Sequence, residues 1–159
     1  MTIEFQPIGI IRTPFGNLEG MPIQPAGAKG VRGSVDIFDQ FHEGLQDLEG
    51  FSHVILLYHF HCSKDCNLTV IPYMDTKPHG LFATRAPKRP NPIGLSIVQL
   101  ESIDDGVLHI LGADMLDGTP LLDIKPYVPG FDAPSGVKTG WLEDTGKTVI
   151  KKRSDDRFV

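Results

Sequence analysis

The sequence predicts a small, mainly β protein: a mostly antiparallel barrel or sandwich with one short helix and long loops. Three observations carry this reading. Apolar runs are short and rich in β-branched and aromatic residues, turn signals fall between nearly all of them, and no helices alternate with strands as a doubly wound parallel sheet would require. The 17 glycines and 13 prolines fit a turn-rich β chain better than a helical one.

Taken in order, Ile8, Ile10 and Ile11 around Gly9 predict a strand over Ile3–Arg12. Thr13–Gly33 is a long loop dense in Gly and Pro, of a length that is usually functional. Its Gly27, Gly30 and Gly33 superficially suggest a phosphate cradle, but they stand at GxxGxxG spacing with no strand–turn–helix around them and make a weak nucleotide fingerprint. Ser34–Phe38 reads as a short strand. Asp39 then offers an N-cap to a helix whose Phe41, Leu45 and Leu48 share one face up to a terminating Gly50. Phe51–Cys62 is so continuously apolar and aromatic that it predicts a buried central strand. Further strands are expected at Asn67–Met74, Leu81–Thr84 and Ile93–Leu100. A hairpin then joins Ile97–Ile103 to Val107–Leu111 through Asp104-Asp105-Gly106, and a strand over Leu121–Val128 follows the Asp117-Gly118-Thr119-Pro120 turn. Residues 1–135 form the expected domain. Residues 136–159, including the mixed-charge tail Lys147–Val159, form an extension that could dock on a partner.

A chain of 159 residues suits one domain with a real core. No apolar run approaches the roughly 20 residues of a membrane span, and the N-terminus lacks the basic and apolar regions of a secretory signal. Two cysteines, Cys62 and Cys66, make no disulfide framework, which leaves the cytoplasm as the expected location. The net charge of −5 means that contact with nucleic acid has to come from a local patch rather than the average field.

One stretch supplies such a patch. In GLFATRAPKRPNPIGLSIVQL (residues 80–100), Arg85, Lys88 and Arg89 sit among Pro87, Pro90 and Pro92. The prolines fix φ and extend the residues before them (Ala86, Arg89 and Asn91), so the cations ride on a stiff frame with little entropy left to lose on meeting an anion. A second polar group follows from strand alternation, which puts Asp123, Lys125 and Tyr127 on one face and Leu122, Ile124 and Pro126 on the other. By spacing alone this row is either a solvated sheet surface or part of a polar site. His59, His61, Cys62 and Cys66 lack the cysteine spacing and the second ligand pair of a zinc knuckle, and in a strand His53, His59 and His61 share a face opposite Tyr58, Phe60 and Cys62. No GxSxG is present, and Ser96 lies inside a strand pattern rather than on a nucleophile elbow.

The run Phe82-Ala-Thr-Arg-Ala-Pro-Lys-Arg-Pro-Asn-Pro-Ile-Gly94 and the run Asp117-Gly-Thr-Pro-Leu-Leu-Asp-Ile-Lys-Pro-Tyr127 together resemble the TsaA/TrmO-like family. Ile8-Gly-Ile-Ile-Arg-Thr-Pro14 and the segment from Gly50-Phe-Ser-His53 to His61 extend the resemblance over about residues 5–133. It implies a small β-barrel that forms a homodimer and transfers a methyl group from S-adenosyl-L-methionine to N6 of a threonylcarbamoyl-modified adenosine at tRNA position 37. Carried over by position, the resemblance places the cofactor against Pro25, Ala26, Gly27, His61, Cys62, Arg85, Leu95 and the segment Leu111, Gly112, Ala113 and Asp114. Lys88, Arg89, Asn91, Asp123 and Lys125 would handle the substrate, with Lys151, Lys152 and Arg153 adding phosphate contacts. Because adenine N6 must shed a proton as it attacks, Asp114 or Asp117 is the expected acceptor, with Tyr127 a weaker one.

The chain departs from the family pattern in reading Pro22-Ile23-Gln24 where an Arg is usual at the middle position, and in being too short for the C-terminal domain of larger members. Two rival readings are an S-adenosylmethionine-binding module or methyltransferase acting on a small molecule, and a metal-dependent hydrolase using His59, His61 and the cysteines.

Overall fold

Among the described residues eight strands form in the order β1 (Gly9–Arg12), β2 (Arg32–Ile37), β3 (His53–His59), β4 (Thr69–Val70), β5 (His79–Gly80), β6 (Ile93–Asp104), β7 (Val107–Leu111) and β8 (Thr119–Pro126). Six of them close into a barrel, β1-β2-β7-β6-β3-β8, with every pair antiparallel. The computed structural model describes residues 1–143 and 151–158, so part of the tail, residues 147–150 and 159, lies outside them. Among the described residues no helix is long and apolar enough to cross a membrane.

Alternation builds the interior. β6 turns Gly94, Ser96, Val98 and Leu100 inward and Ile93, Leu95, Ile97 and Gln99 outward. Its partner β3 turns in Val54, Leu56 and Tyr58, which meet Val98, Ser96 and Gly94 in register. Ile11, Val35, Leu108, Ile110 and Leu121 complete a core of fully buried side chains. On β8 the simple alternation breaks. Tyr58 pairs with Leu121 and Leu57 with Asp123, so Leu122 is a bulge, and Leu121 and Ile124 both reach the apolar side three residues apart.

The β6–β7 hairpin turns at Asp105 and Gly106, with φ of 47° and 77°. That is the pair of left-handed residues a two-residue hairpin needs to match strand twist. Gly94 answers a different demand, close approach: a Cβ there would lie 2.2 Å from Cε2 of Tyr58.

Several elements differ from expectation. The 39–50 segment is not one α-helix but 3₁₀ turns at Asp39–Leu45 and Leu48–Gly50, broken at Asp47 with φ 67°. Phe38 holds the cap position and no side chain caps it. Gly44 in mid-segment weakens an α-helix, and the segment needs only to lay Phe41, Leu45 and Leu48 over the barrel end. Phe51–Cys62 is strand only at His53–His59 and is buried on one face; the sequence looks continuous because its outer face, Ile55 and Leu57, is apolar too. Leu81–Ala83 is a 3₁₀ turn that redirects the chain into the proline loop, closed by Thr84 Oγ1 donating to Leu81 O at 2.7 Å. Asn67–Met74 contributes only Thr69–Val70, since Pro72 ends the ladder. The first strand begins at Gly9, after Pro7, and leaves Ile3 and Phe5 exposed. The single α-helix among the described residues is one turn at Pro129–Asp132.

Gly94→Ala is expected to destabilise the fold by about 2 kcal/mol through overpacking against Tyr58. Chemical denaturation of the two proteins measures this, and an unchanged midpoint would contradict the packing described.

Candidate functional site

The core is apolar for most of the barrel's length and turns polar at one end. There Tyr58, Gly94, Asp114 and Thr119 form the floor of a cavity of about 820 Å³, and Ser96 is buried behind it, hydrogen-bonded to Tyr58 and Asp114. The proline loop (Thr84–Pro87 and Arg89), the turn His61–Ser63 and the segment Met21–Gln24 make its walls. This volume is in the range of small-molecule sites, and the lining is mostly apolar with a few converging polar groups.

On the floor a hydrogen-bonded chain runs outward from the core. Tyr58 Oη lies 3.0 Å from Ser96 Oγ, and Ser96 Oγ donates to Asp114 Oδ1 at 2.7 Å. Ser96 is 1% exposed, which rules it out as an exposed nucleophile. Burial pushes Asp114 up to about 7, against the pull of the Ser96 hydrogen bond and the Arg85 charge. Burial likewise drives the Tyr58 phenol well above its ordinary value. A carboxyl group held near neutrality in a cleft is able to take or give a proton at working pH.

The proline loop presents its cations unequally. Arg85 is exposed on the cavity wall and its Nη1 donates to Gln24 Oε1 at 3.1 Å. Arg89 is turned inward instead: its Nη1 donates to Thr84 O at 3.0 Å and Ala86 O at 3.3 Å, and its guanidinium lies 5.7 Å from the Phe82 ring centre. It pins the loop's own backbone. Asn91 is exposed, and its carbonyl accepts the Ile93 amide; Lys88 is half-buried, its carbonyl accepting the Asn67 amide.

Of the other residues singled out in the sequence, His61, Cys62, Leu95 and Asp114 line the cavity with Arg85. Pro25, Ala26 and Gly27 form a 3₁₀ turn outside its lining. They adjoin Leu111, Gly112 and Ala113, and a Cβ on Gly112 would lie 3.8 Å from the Pro25 Cβ. Asp117 is spent on its turn, its Oδ1 accepting the Thr13 amide at 3.0 Å. Asp123 and Lys125 pair with each other at 2.7 Å on the outer barrel surface, and Tyr127 packs edge-on against His53. None of these four lines the cavity. Among the described residues no three His, Cys, Asp or Glu side chains are grouped to hold a metal ion.

Sequence reasoning missed two parts of the site. Tyr58 and Ser96 were hidden in strand alternation, although a serine at an inward position between Gly94 and Val98 is itself a signal. The C-terminal cover had no local signature. Ser154 exchanges backbone hydrogen bonds with Met21 and Gly20, donates its hydroxyl to Leu18 O, and Arg153 bridges Pro22. Arg157 donates to Pro72 O at 2.9 Å, and Phe158 is buried with Val70, Leu81 and Ala86. Trp141 stacks on His79 and donates to Ala83 O at 2.8 Å.

Because folding raises the Asp114 pKa, the folded chain holds a proton that the unfolded chain has released between pH about 4 and about 7. Stability is therefore expected to fall as pH rises through that window. Asp114→Asn removes this part of the slope, and urea denaturation at stepped pH reads it. A slope unchanged by the substitution would contradict the assignment.

Comparison with known proteins agrees with this architecture. Residues 10–133 match the family model described as the tRNA-methyltransferase O N-terminal domain. A crystal structure of TrmO from Pseudomonas aeruginosa superposes with a TM-score of 0.75 at 43% identity, covering 89% of this chain and 63% of that one. A protein of Pyrococcus abyssi, named as a probable S-adenosyl-L-methionine-binding protein, is 52% identical over 99% of this chain and 86% of its own length. The human tRNA (adenine(37)-N6)-methyltransferase is 37% identical over 83% of this chain, which spans only 32% of that enzyme. The closed six-stranded barrel, the two long motifs and these matches together make the chain a member of the tRNA-methyltransferase O N-terminal domain family.

Proposed function

We propose that this chain is an S-adenosylmethionine-dependent methyltransferase acting in the cytoplasm on N6 of threonylcarbamoyl-adenosine at tRNA position 37. The observation that carries the reading is the cavity floor, where a near-neutral carboxyl group, Asp114, shares one cleft with an exposed guanidinium, Arg85. The family membership and the names of the mammalian and archaeal relatives point the same way.

The residues fit the cofactor's chemistry. Arg85 can take its carboxylate as a charge-assisted pair, the apolar lining suits an adenosyl group, and Asp114 faces a positively charged sulfur favourably. Bound there, S-adenosylmethionine supplies a methyl group on a sulfonium leaving group. The cavity's work is to hold the acceptor nitrogen in line with that methyl and to keep water out. Asp114 would take the proton that the acceptor nitrogen sheds when it is methylated. Asp114 is suited to this step because the cation that keeps it ionised disappears as the proton arrives. Lys88 and the tail cations Lys151, Lys152 and Arg153 are assigned to the phosphates, and the Pro25–Gly27 and Leu111–Ala113 rim to the cofactor's edge.

The active form in this reading is a homodimer. The outer face of β3 and β6 carries Ile55, Leu57, Ile93, Leu95 and Ile97 side by side, with Ile93, Leu95 and Ile97 exposed. Asp123 and Lys125 border this strip through their pairing with Leu57 and Ile55, which puts them at the edge of the surface that a partner would cover. A second reading, methyl transfer to a small molecule, is favoured by the net charge of −5 and by the inward Arg89.

Nucleoside mass spectrometry of threonylcarbamoyl-modified tRNA incubated with the protein and S-adenosylmethionine tests the first reading directly: a mass gain of one methyl at the modified nucleoside is expected, and transfer to no tRNA overturns it. Arg85→Ala is expected to weaken S-adenosylmethionine binding by roughly tenfold or more in calorimetry, the loss of one charged hydrogen bond. Leu95→Glu is expected to yield monomers in light scattering, and a wild-type chain already monomeric at working concentration would remove the dimer.

A further inference from the structure

The Tyr58–Ser96–Asp114 chain has a direction, and the direction follows from donor counting. Ser96 has one hydroxyl proton and gives it to Asp114 Oδ1 at 2.7 Å. Its oxygen must then accept from Tyr58 Oη, 3.0 Å away, whose ring is locked between the β3 and β6 backbones by the absent side chain at Gly94. Among the described residues Tyr58 Oη has no hydrogen-bond partner other than Ser96, so the chain cannot reverse without stranding a buried hydroxyl proton. The two donors therefore act in series, Tyr58 to Ser96 and Ser96 to one carboxylate oxygen. The other, Oδ2, receives no side-chain hydrogen bond from the described residues and belongs to a residue that lines the cavity; the carboxylate's one further internal donor is the Asp114 backbone amide, which helps to hold its orientation.

We propose that Tyr58 and Ser96 are positioning residues for methyl transfer. They hold the Asp114 carboxylate so that only Oδ2 can take the acceptor's proton, and they close the route by which that proton could pass into the barrel. This rests on Asp114 being the proton acceptor in the function proposed above. The accepted proton stays on Oδ2 and leaves through the cavity to solvent. Among the described residues the ionisable groups coupled to Asp114 are Tyr58 from β3 and Arg85 from the proline loop; Ser96 from β6 bonds it from behind the floor, Thr119 from β8 lies on the floor, and neither titrates in the working range. Tyr58 stays neutral throughout that range, and His61 and Cys62 are further titratable side chains on the cavity lining, so the response of Asp114 is read from its own carboxyl signal.

Two substitutions and two readouts test the proposal. Ser96→Ala removes the donor, and Tyr58→Phe keeps the ring and frees the Ser96 proton to rotate away. Carbon-13 NMR of the Asp114 carboxyl is expected to show a titration midpoint about one pH unit higher in Ser96→Ala, and a smaller rise in Tyr58→Phe. In the methylation assay the acidic limb of kcat moves with it, read as roughly tenfold lower kcat at pH 6 for Ser96→Ala with the cofactor KM little changed. Midpoint and limb unchanged in Tyr58→Phe, with KM alone rising, would show a merely structural role and overturn the proposal, even if Ser96→Ala fails to fold. The NMR titration needs no acceptor, so it decides the direction of the chain even if tRNA proves not to be the substrate.

Discussion

Closure of the sheet between β1 and β8 is the constraint on which the rest of the molecule depends. β1 is four residues long, yet it is the strand that joins β2 to β8 and leaves the barrel without an edge. It can approach so closely because Gly9 has no side chain; a Cβ there would meet Asp36 O at 2.5 Å. Once the sheet is closed there is a single interior, and inward residues from strands far apart in sequence have to meet. Tyr58 and Ser96 meet there across the β3–β6 pair, and Asp114 joins them from the chain that leaves β7.

The interior is graded. Aliphatic side chains fill it from the covered end, where Phe41, Leu45 and Leu48 pack, up to Val98 and Leu56. Polar groups begin at the other end and are all paired: among the described residues no buried side-chain nitrogen or oxygen lacks a hydrogen-bond partner. A polar patch in a low-dielectric setting is costly unless satisfied, and when satisfied it is rigid. That rigidity suits a floor whose one reactive group must keep a fixed orientation. The same setting raises the pKa of Asp114 toward neutrality, so position and proton affinity have one cause, the burial that closure imposes.

What could be read in the sequence follows from which forces are local. The hairpin at Asp105–Gly106, the alternation in Ile93–Leu100 and the proline-braced loop are set by neighbouring residues, and the sequence shows them directly. The 39–50 segment was misjudged because helical spacing of Phe41, Leu45 and Leu48 is equally satisfied by 3₁₀ turns lying across a barrel mouth. The Leu122 bulge shifts β8 by one residue, which no periodicity count reveals, and the row Asp123, Lys125, Tyr127 lies on the outer surface of this chain rather than over its cavity. Arg89 reads as a free cation in a basic run, but three carbonyls turned toward it by the proline frame claim its guanidinium. Five residues expected at the cofactor, His61, Cys62, Arg85, Leu95 and Asp114, do share the cleft, and they are ones fixed by motif rather than by pattern.

The wall built from Leu18–Gln24 and Ser154–Phe158 is of a different kind from the floor. Its two halves, more than a hundred residues apart, are clasped by two main-chain hydrogen bonds and the Ser154 hydroxyl, while the Phe158 ring anchors the second half on Val70, Leu81 and Ala86. Residues there can be exchanged without disturbing the ladder that holds the reacting groups. The enclosure is thus separable into an invariant chemical base and an adjustable rim, and a lineage could retune which molecule is admitted while leaving the transfer step untouched.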